Sequence, residues 1–551
     1  MAARARAARR GDSFLRRAGA AFRNTVIDGG GATAPATAAR RPQWHALLLA
    51  AVAGAATVFA FAPFTLPHLP LLTLGLLFLG WRDATPRQAA WLGFAFGLGL
   101  FGAGVSWVSV ALHSFGGMPV ALAAIGTLGF CAYLALWPAL AGWLAARVTA
   151  PSSAARLAAA AGAWTIAEWL RGFVLSGFGW LSIGYAQLPG PEVSVFAGYA
   201  PVGGVFLVSL AMAGVAAAGA ALVPVAADAT SRVRRAAGPL ALIAALAGGG
   251  VVLDRIEWTR GDGAPVTASL LQGNVAQTLK FDPGFRERNF ALYAAMVSES
   301  RGRLVVLPES AFPVFADEVP EAVLKHLLRT MAARDGDAIV GLFTAQPPLD
   351  PGGDPRIHNS VVTLGAADVQ EYRKRHLVPF GETIPAEALV GWFIRRVLAI
   401  PLSSQLPGPP DQPPLAIAGT KVAANICYED AFGADIRVQA RAAAILVNVT
   451  NDAWYGRSVA AQQHNQIAAM RALETGRPLL RATNTGITSA IDHRGREIAR
   501  LPWFTHGILE TTVQGRAGET PYVRFGDGVA AWLAALVVAA AAIGDRLRFR
   551  H

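Results

Sequence analysis

The long apolar runs of this chain lie before residue 254 or after residue 526, with a mixed segment between them, and this division limits the fold more than any other feature. Only an internally hydrogen-bonded backbone tolerates hydrocarbon, so a run of about 20 apolar residues reads as a membrane-spanning helix. Candidates fall at 44–62, 68–81, 89–112, 119–147, 157–175, 199–226 and 238–253, with one more at 527–544. The expected architecture is an α-helical bundle of about eight spans. The stretch 176–198, containing Gly177, Gly179, Gly184, Pro189 and Pro191, breaks the pattern and reads as a loop or re-entrant segment. Composition agrees: 53% hydrophobic residues is too apolar for a soluble chain of this size.

Arginines orient the spans. The first 44 residues hold nine Arg against two Asp, and further arginines stand at 82 and 87, at 147 and 156, and at 232, 234 and 235. These are alternate loops, so they share one side with the arginine-rich end at 546–550, and the positive-inside rule makes that side cytoplasmic. Four segments are expected: a disordered cytoplasmic tail (1–43), a bundle of about seven helices (44–253), a periplasmic domain (254–526), and a last helix with a short cytoplasmic tail (527–551). The net charge of +12 is shared among a tail and juxtamembrane loops rather than gathered in one stripe, which argues against nucleic-acid binding.

Between residues 254 and 526, strand-like runs (266–272, 303–307, 338–343, 359–364, 421–426, 444–448 and 479–483) alternate with helical ones (284–300, 319–334 and 458–475). Alternation of this kind indicates α/β layers. Two of these runs, and one segment outside them, lead into residues suited to chemistry. Cys427 closes an apolar strand and is followed by Glu429 and Asp430; Glu309 follows Leu304–Leu307; Lys374 lies in Tyr372–Glu382. A thiol needs a base to take its proton and a cation for the charge that develops on the attacked carbonyl. Glu309 suits the first role and Lys374 the second. Of 48 basic residues only four are lysines (Lys280, Lys325, Lys374 and Lys421), and Lys374 stands between two arginines; a compact ammonium differs from a guanidinium fork at an oxyanion. Cys131, the other cysteine, lies in an apolar run, which leaves no disulfide framework. His464 and His376 lack metal-ligand spacing, so no metal and no cofactor is expected.

Together, Glu309 in Leu-Pro-Glu-Ser, Lys374 in Arg-Lys-Arg-His-Leu-Val-Pro-Phe-Gly-Glu and Cys427 in Ile-Cys-Tyr-Glu resemble the Glu-Lys-Cys triad of the nitrilase superfamily. Within it, 376–382, Asn451-Asp-Ala-Trp-Tyr-Gly456 and 477–486 resemble the apolipoprotein N-acyltransferases, bacterial membrane enzymes that add the third acyl chain to lipoproteins. Phe281 departs from the tryptophan of some members. The resemblance implies a nitrilase-like four-layer αββα sandwich on the bundle and a place in the bacterial inner membrane. It also implies a phospholipid acyl donor and a diacylglyceryl apolipoprotein acceptor. The residues themselves suggest covalent chemistry: Glu309 takes the Cys427 proton, and Lys374 with the Tyr428 N–H holds the oxyanion. Glu382 and Glu429 are expected to orient Lys374, with Tyr428 and Trp454 contacting substrate.

Two further segments read as arms on the bilayer, Val390–Ile394 with Trp392 and Phe393, and the proline-rich 401–414. Glu168 and Arg171, three apart on one helix face, read as an ion pair, and Trp180 as a border of an acyl-chain pocket. A membrane-anchored amidase with the same triad is the nearest rival function, and a noncatalytic membrane binding or transport protein the other.

Overall fold

The computed structural model describes residues 44–188, 194–223, 229–348, 355–383 and 405–548. The expected tail 1–43, the arm at 390–394 and the start of the proline-rich segment lie outside them. Apolar helices form where the sequence runs are continuous: α1 (Trp44–Thr57), α2 (Leu69–Arg82), α3 (Pro86–Gly104), α4 (Val120–Val148), α5 (Ala154–Arg171), α6 (Ala200–Ala221), α7 (Ala229–Asp254) and, at the far end of the chain, α12 (Gly528–Arg548). Small residues let α3 lie against both α1 and α4. An added Cβ at Gly93 would collide with the Pro138 carbonyl of α4, and one at Gly99 with the Ala51 carbonyl of α1. Leu48, Val52, Ile125, Leu128, Trp532 and Leu536 point outward. Small residues inside and large apolar ones outside is the arrangement for a lipid solvent.

Among the described residues, four helices are long and apolar enough to cross a membrane, namely α4, α6 with the turn before it, α7 from Ala236, and α12. A fifth is gained if α3 counts with the helix at 108–115, which follows at a 58° bend. This is fewer than the expected eight. Helices α1 and α2 have 14 residues each, and α5 carries Arg156, Glu168 and Arg171. The run 89–112, read as one helix, is thus two.

The mixed segment folds into two six-stranded sheets. In the first, β1 (Val266–Gln272), β2 (Leu304–Val306) and β3 (Asp337–Gln346) are parallel neighbours. They are extended antiparallel by β4 (Arg356–Gly365) and β5 (Glu371–Arg373) on one side and by β12 (Gly507–Val513) on the other. The second repeats the plan with β7 (Thr420–Ile426), β8 (Ile445–Thr450) and β9 (Leu479–Thr483) parallel, β6 (Leu415–Ile417) before them, and β10 (Ser489–Ile491) and β11 (Glu497–Arg500) after. Strand periodicity sorts the first sheet's side chains. Leu271, Val305, Ala338 and Val340 meet α8 (Arg286–Glu299) and α9 (Glu321–Ala332), whereas Leu270, Leu304, Val306 and Ile339 join the core shared with the second sheet. Helices α10 (Gly433–Ala440) and α11 (Ala460–Thr475) pack along the second sheet, completing helix, sheet, sheet and helix layers.

The break at 176–198 is described over 176–188 and 194–198. It folds as short turns, buried between the bundle and the second sheet. Glu168 and Arg171 both turn onto it. Glu168 Oε1 accepts from Ile183 N at 2.9 Å, and Arg171 donates to the carbonyls of Phe178 and Trp180 at 2.6 Å each. Irregular backbone inside a bundle needs such partners. The described part of the proline-rich arm does not lie free. Leu406 N donates to Ile357 O and Gly408 N to Lys374 O, both at 2.8 Å, pinning it beside β4 and β5.

Candidate active site

Strand β7 ends in a sharp turn. Ile426 is extended, and Cys427 opens the short helical turn Cys427–Ala431 with φ of +55°. A non-glycine residue in that region costs about 1–3 kcal/mol and persists only where its surroundings over-determine it. The Glu429 carboxylate supplies one restraint, accepting from Ile426 N (2.6 Å), Arg375 N (2.7 Å), His376 N (3.1 Å) and the Tyr372 hydroxyl (3.0 Å). From the other side, the Cys427 carbonyl accepts from Asn448 Nδ2 at 3.2 Å and lies 3.3 Å from His464 Nε2. His464 also meets Asp452 Oδ1 (2.7 Å) and Asp430 Oδ1 (2.8 Å), and Arg481 binds the same two aspartates. Burial and Arg481 oppose a charge on His464, but Asp430 and Asp452 outweigh them and lift it to about 9. A buried cation thus sits beneath the turn.

Glu309 arrives from the end of β2 and Lys374 from the end of β5. Lys374 Nζ lies 3.4 Å from Glu309 Oε1 and 2.8 Å from Glu382 Oε1. Asn359 Nδ2 donates to the same two oxygens, at 2.8 Å and 3.1 Å. All of these groups are shielded, Cys427 at 7% exposed, Glu309 at 7% and Lys374 at 1%. Burial and the Glu309 charge push the thiol well above its usual range, partly offset by Lys374. Burial alone would neutralise Lys374, but Glu382 and Glu309 overcome it and hold it charged. The resting sulfur is therefore a thiol, with an ammonium at hand. Such a site can form a thiolate only as the carboxylate takes the proton.

Glu309, Lys374, Glu382 and Cys427 thus come together. Glu429 does not bond Lys374; it holds the turn on which Cys427 stands. The Tyr428 hydroxyl donates to Gly177 O at 2.7 Å, and its ring stacks on Trp180 at 5.9 Å. Trp180 is 1% exposed and also meets Trp107 and His464. Trp454 is half-exposed and packs edge-on against Phe115 at the bent end of the α3 region. Sequence reasoning missed three contributors. Lys280 Nζ donates to Glu309 O at 2.8 Å, Asn359 bonds both carboxylates, and His464, considered above only as a metal ligand, supports the turn. For Lys280 the signal existed, since it is one of four lysines in an arginine-rich chain.

A family model for the apolipoprotein N-acyltransferase N-terminal domain matches residues 53–218, and one for carbon-nitrogen hydrolase matches 267–522. Proteins called apolipoprotein N-acyltransferase match almost end to end. The one from Nitrosomonas europaea is 46% identical over 90% of this chain and 97% of its own length, and the one from Chromobacterium violaceum 43% over 92% and 95%. That from Methylococcus capsulatus is 42% identical over 90% and 95%. The chain belongs to the apolipoprotein N-acyltransferase family. Both matched regions reach the site, since Gly177 and Trp180 of the N-terminal match meet Tyr428 of the carbon-nitrogen hydrolase match.

Proposed function

We propose that the protein transfers an acyl chain from a phospholipid, through a thioester on Cys427, to the α-amino group of the N-terminal diacylglyceryl-cysteine of apolipoproteins. The observation that carries this reading is the meeting of Glu309, Lys374 and Cys427 at a buried turn packed against an apolar bundle. In the first step Glu309 takes the thiol proton and the sulfur attacks the ester carbonyl. Lys374 and the Tyr428 N–H stabilise the oxyanion, and Glu309 returns the proton to the departing lysophospholipid oxygen. In the second, the acceptor amine attacks the thioester. The C–N bond forms, the C–S bond breaks, and Glu309 passes the amine proton to the sulfur. Glu382 and Asn359 hold Lys374 and Glu309 in register, while Trp454, Tyr428 and Trp180 border the substrate.

Eight spans, with α1, α2 and α5 crossing as part of the packed bundle, set 44–253 and 527–551 in the bacterial inner membrane and 254–526 in the periplasm. The arginine distribution supports this orientation. Lipid access favours a transferase over an amidase, because a donor dissolved in the bilayer must reach the thiol.

Intact mass spectrometry after incubation with phospholipid tests the reading. A hydroxylamine-labile acyl adduct that is absent from Cys427→Ser and discharged by a diacylglyceryl peptide is expected. Discharge by water at the same rate would favour the amidase. Absence of any adduct would remove the covalent mechanism.

A further inference from the structure

The oxyanion cation already described is heavily engaged. Lys374 is shared between Glu382 and Glu309, two carboxylates against one ammonium, and the Glu309 charge opposes ionisation of the thiol. A site that must form a thiolate and then an oxyanion gains from a second positive charge. The chain supplies one from a different element. The short helical turn Gln277–Lys280 buries Lys280 to 4% exposed, with Nζ 2.8 Å from the backbone carbonyl of Glu309. That is its one hydrogen bond among the described residues, and an ammonium has three donors. Among the described residues no carboxylate oxygen is in ion-pair contact with it, and burial keeps solvent from it.

We propose that Lys280 is a second electrophilic residue of the site, its ammonium balancing the negative charge that develops on the Cys427 sulfur and the attacked carbonyl oxygen while its bond to the Glu309 carbonyl holds the base in place. The inference rests on Cys427 being the nucleophile. The covalent steps are unchanged. Lys280 neither takes nor gives a proton in them, and its positive charge is what the transition state uses.

Burial pushes Lys280 down to about 8, although the Glu309 carboxylate favours its charge, as does Cys427 when it is a thiolate. These two are the titratable groups that act on it. Lys374 is bonded to both Glu309 and Glu382, Tyr455 faces the Cys427 charge, and Asp282, in the same turn, is exposed and accepts from Gly284 N. Loss of the Lys280 proton removes one positive charge from the pocket, so acylation falls as pH rises through that value.

The test is single-turnover acylation of the full-length protein in phosphatidylglycerol vesicles, read by intact mass from pH 6 to 10 with no acceptor amine present. Wild type is expected to lose rate on the alkaline side near pH 8. Lys280→Arg, which stays charged, keeps its rate to higher pH, and Lys280→Met is about 10²-fold slower at neutral pH with no fall near 8. Thermal midpoints and iodoacetamide capture of Cys427 verify that each variant is folded around the thiol. A wild-type profile flat through pH 9.5 overturns the proposal even where neither variant folds. So does a Lys280→Met protein that keeps the alkaline fall or the wild-type rate. An adduct that persists in Cys427→Ser instead removes the nucleophile assignment, a separate failure.

Discussion

Replacing Glu429 tests whether the reactive turn is held by its surroundings. Its carboxylate accepts from three backbone N–H groups and the Tyr372 hydroxyl, at 2.6–3.1 Å, in a setting 3% exposed. Glu429→Ala leaves four donors without an acceptor, two buried and two half-buried, each worth about 1–3 kcal/mol if unpaired. Water entering the space left by the side chain rescues part of this, so the lower end of the range applies and the total is about 4 kcal/mol. At about 2–4 °C per kcal/mol, that lowers the thermal midpoint by about 10 °C. The strained φ of Cys427 is then free to relax, moving the sulfur from the Glu309 and Lys374 pair, and acylation should fall by about 10²-fold, the scale for misplaced reacting groups. Glu429→Gln retains one good acceptor oxygen but turns an amide N–H₂ toward the other donors, so it should lose about half as much stability. Differential scanning fluorimetry in detergent, paired with the mass-spectrometric acylation assay, measures both quantities. A Glu429→Ala protein that melts within about 2 °C of wild type and acylates normally would refute the reasoning, since the turn would need no such clamp.

Glu382→Gln keeps a hydrogen bond to Lys374 but removes a charge, and is expected to slow acylation by about 10-fold or more with little change in thermal midpoint. For His464 the sign follows from a folded value of about 9 against 6.5 unfolded: its contribution is complete below pH 6.5 and is lost as pH rises through 9. The midpoint of wild type should therefore drop across that window, and that of His464→Gln, lower at the start, should change less. Glu474 Oε1 accepts from Val205 N at 2.7 Å where α6 restarts after the non-helical Gly203 and Gly204. The same oxygen meets buried Arg471 at 2.9 Å, so Glu474→Ala should cost about 3–5 kcal/mol in thermal stability, with Glu474→Gln recovering part of it.

The central strands were legible because β1, β3, β4, β7, β8 and β9 are apolar and buried for most of their length. Strands β5, β6 and β10 have three residues each, and β12 alternates exposed Glu510 with buried Leu509, too short or too polar to stand out. The 58° bend after α3 was invisible to hydropathy, which does not distinguish one long helix from two that share a run. At Glu168 and Arg171 spacing suggested a pair, yet the unpaired backbone of 178–183 drew both side chains to itself, a demand no helical wheel reports. Glu309 and Cys427 were readable because each follows an apolar strand, and Lys374 because it is a rare lysine set between two arginines. Lys280 precedes an exposed loop and has no strand to mark it.

Helix α11 links the two halves of the molecule. Its sequence, Gln462-Gln-His-Asn-Gln466 followed by Arg471 and Glu474, has no amphipathic stripe, yet nearly all of it is buried. The explanation lies in the bundle's irregularities. Gln463 Nε2 donates to Gly104 O at the bend after α3, Gln466 Nε2 to Leu188 O, and Gln466 Oε1 accepts from Ala62 N where the helical turn after α1 ends. Backbone groups exposed by such breaks have no water to turn to, and the polar side chains of α11 would be equally stranded without the breaks. From the same helix, His464 supports the Cys427 turn. Removing the bundle would thus strand the amides that face it and loosen the helix that carries His464. Residues 254–526 expressed alone should therefore be aggregated or molten, with strong dye binding and no cooperative melt. A soluble, cooperatively melting fragment whose Cys427 is still acylated would show that the site does not depend on the bundle for its shape.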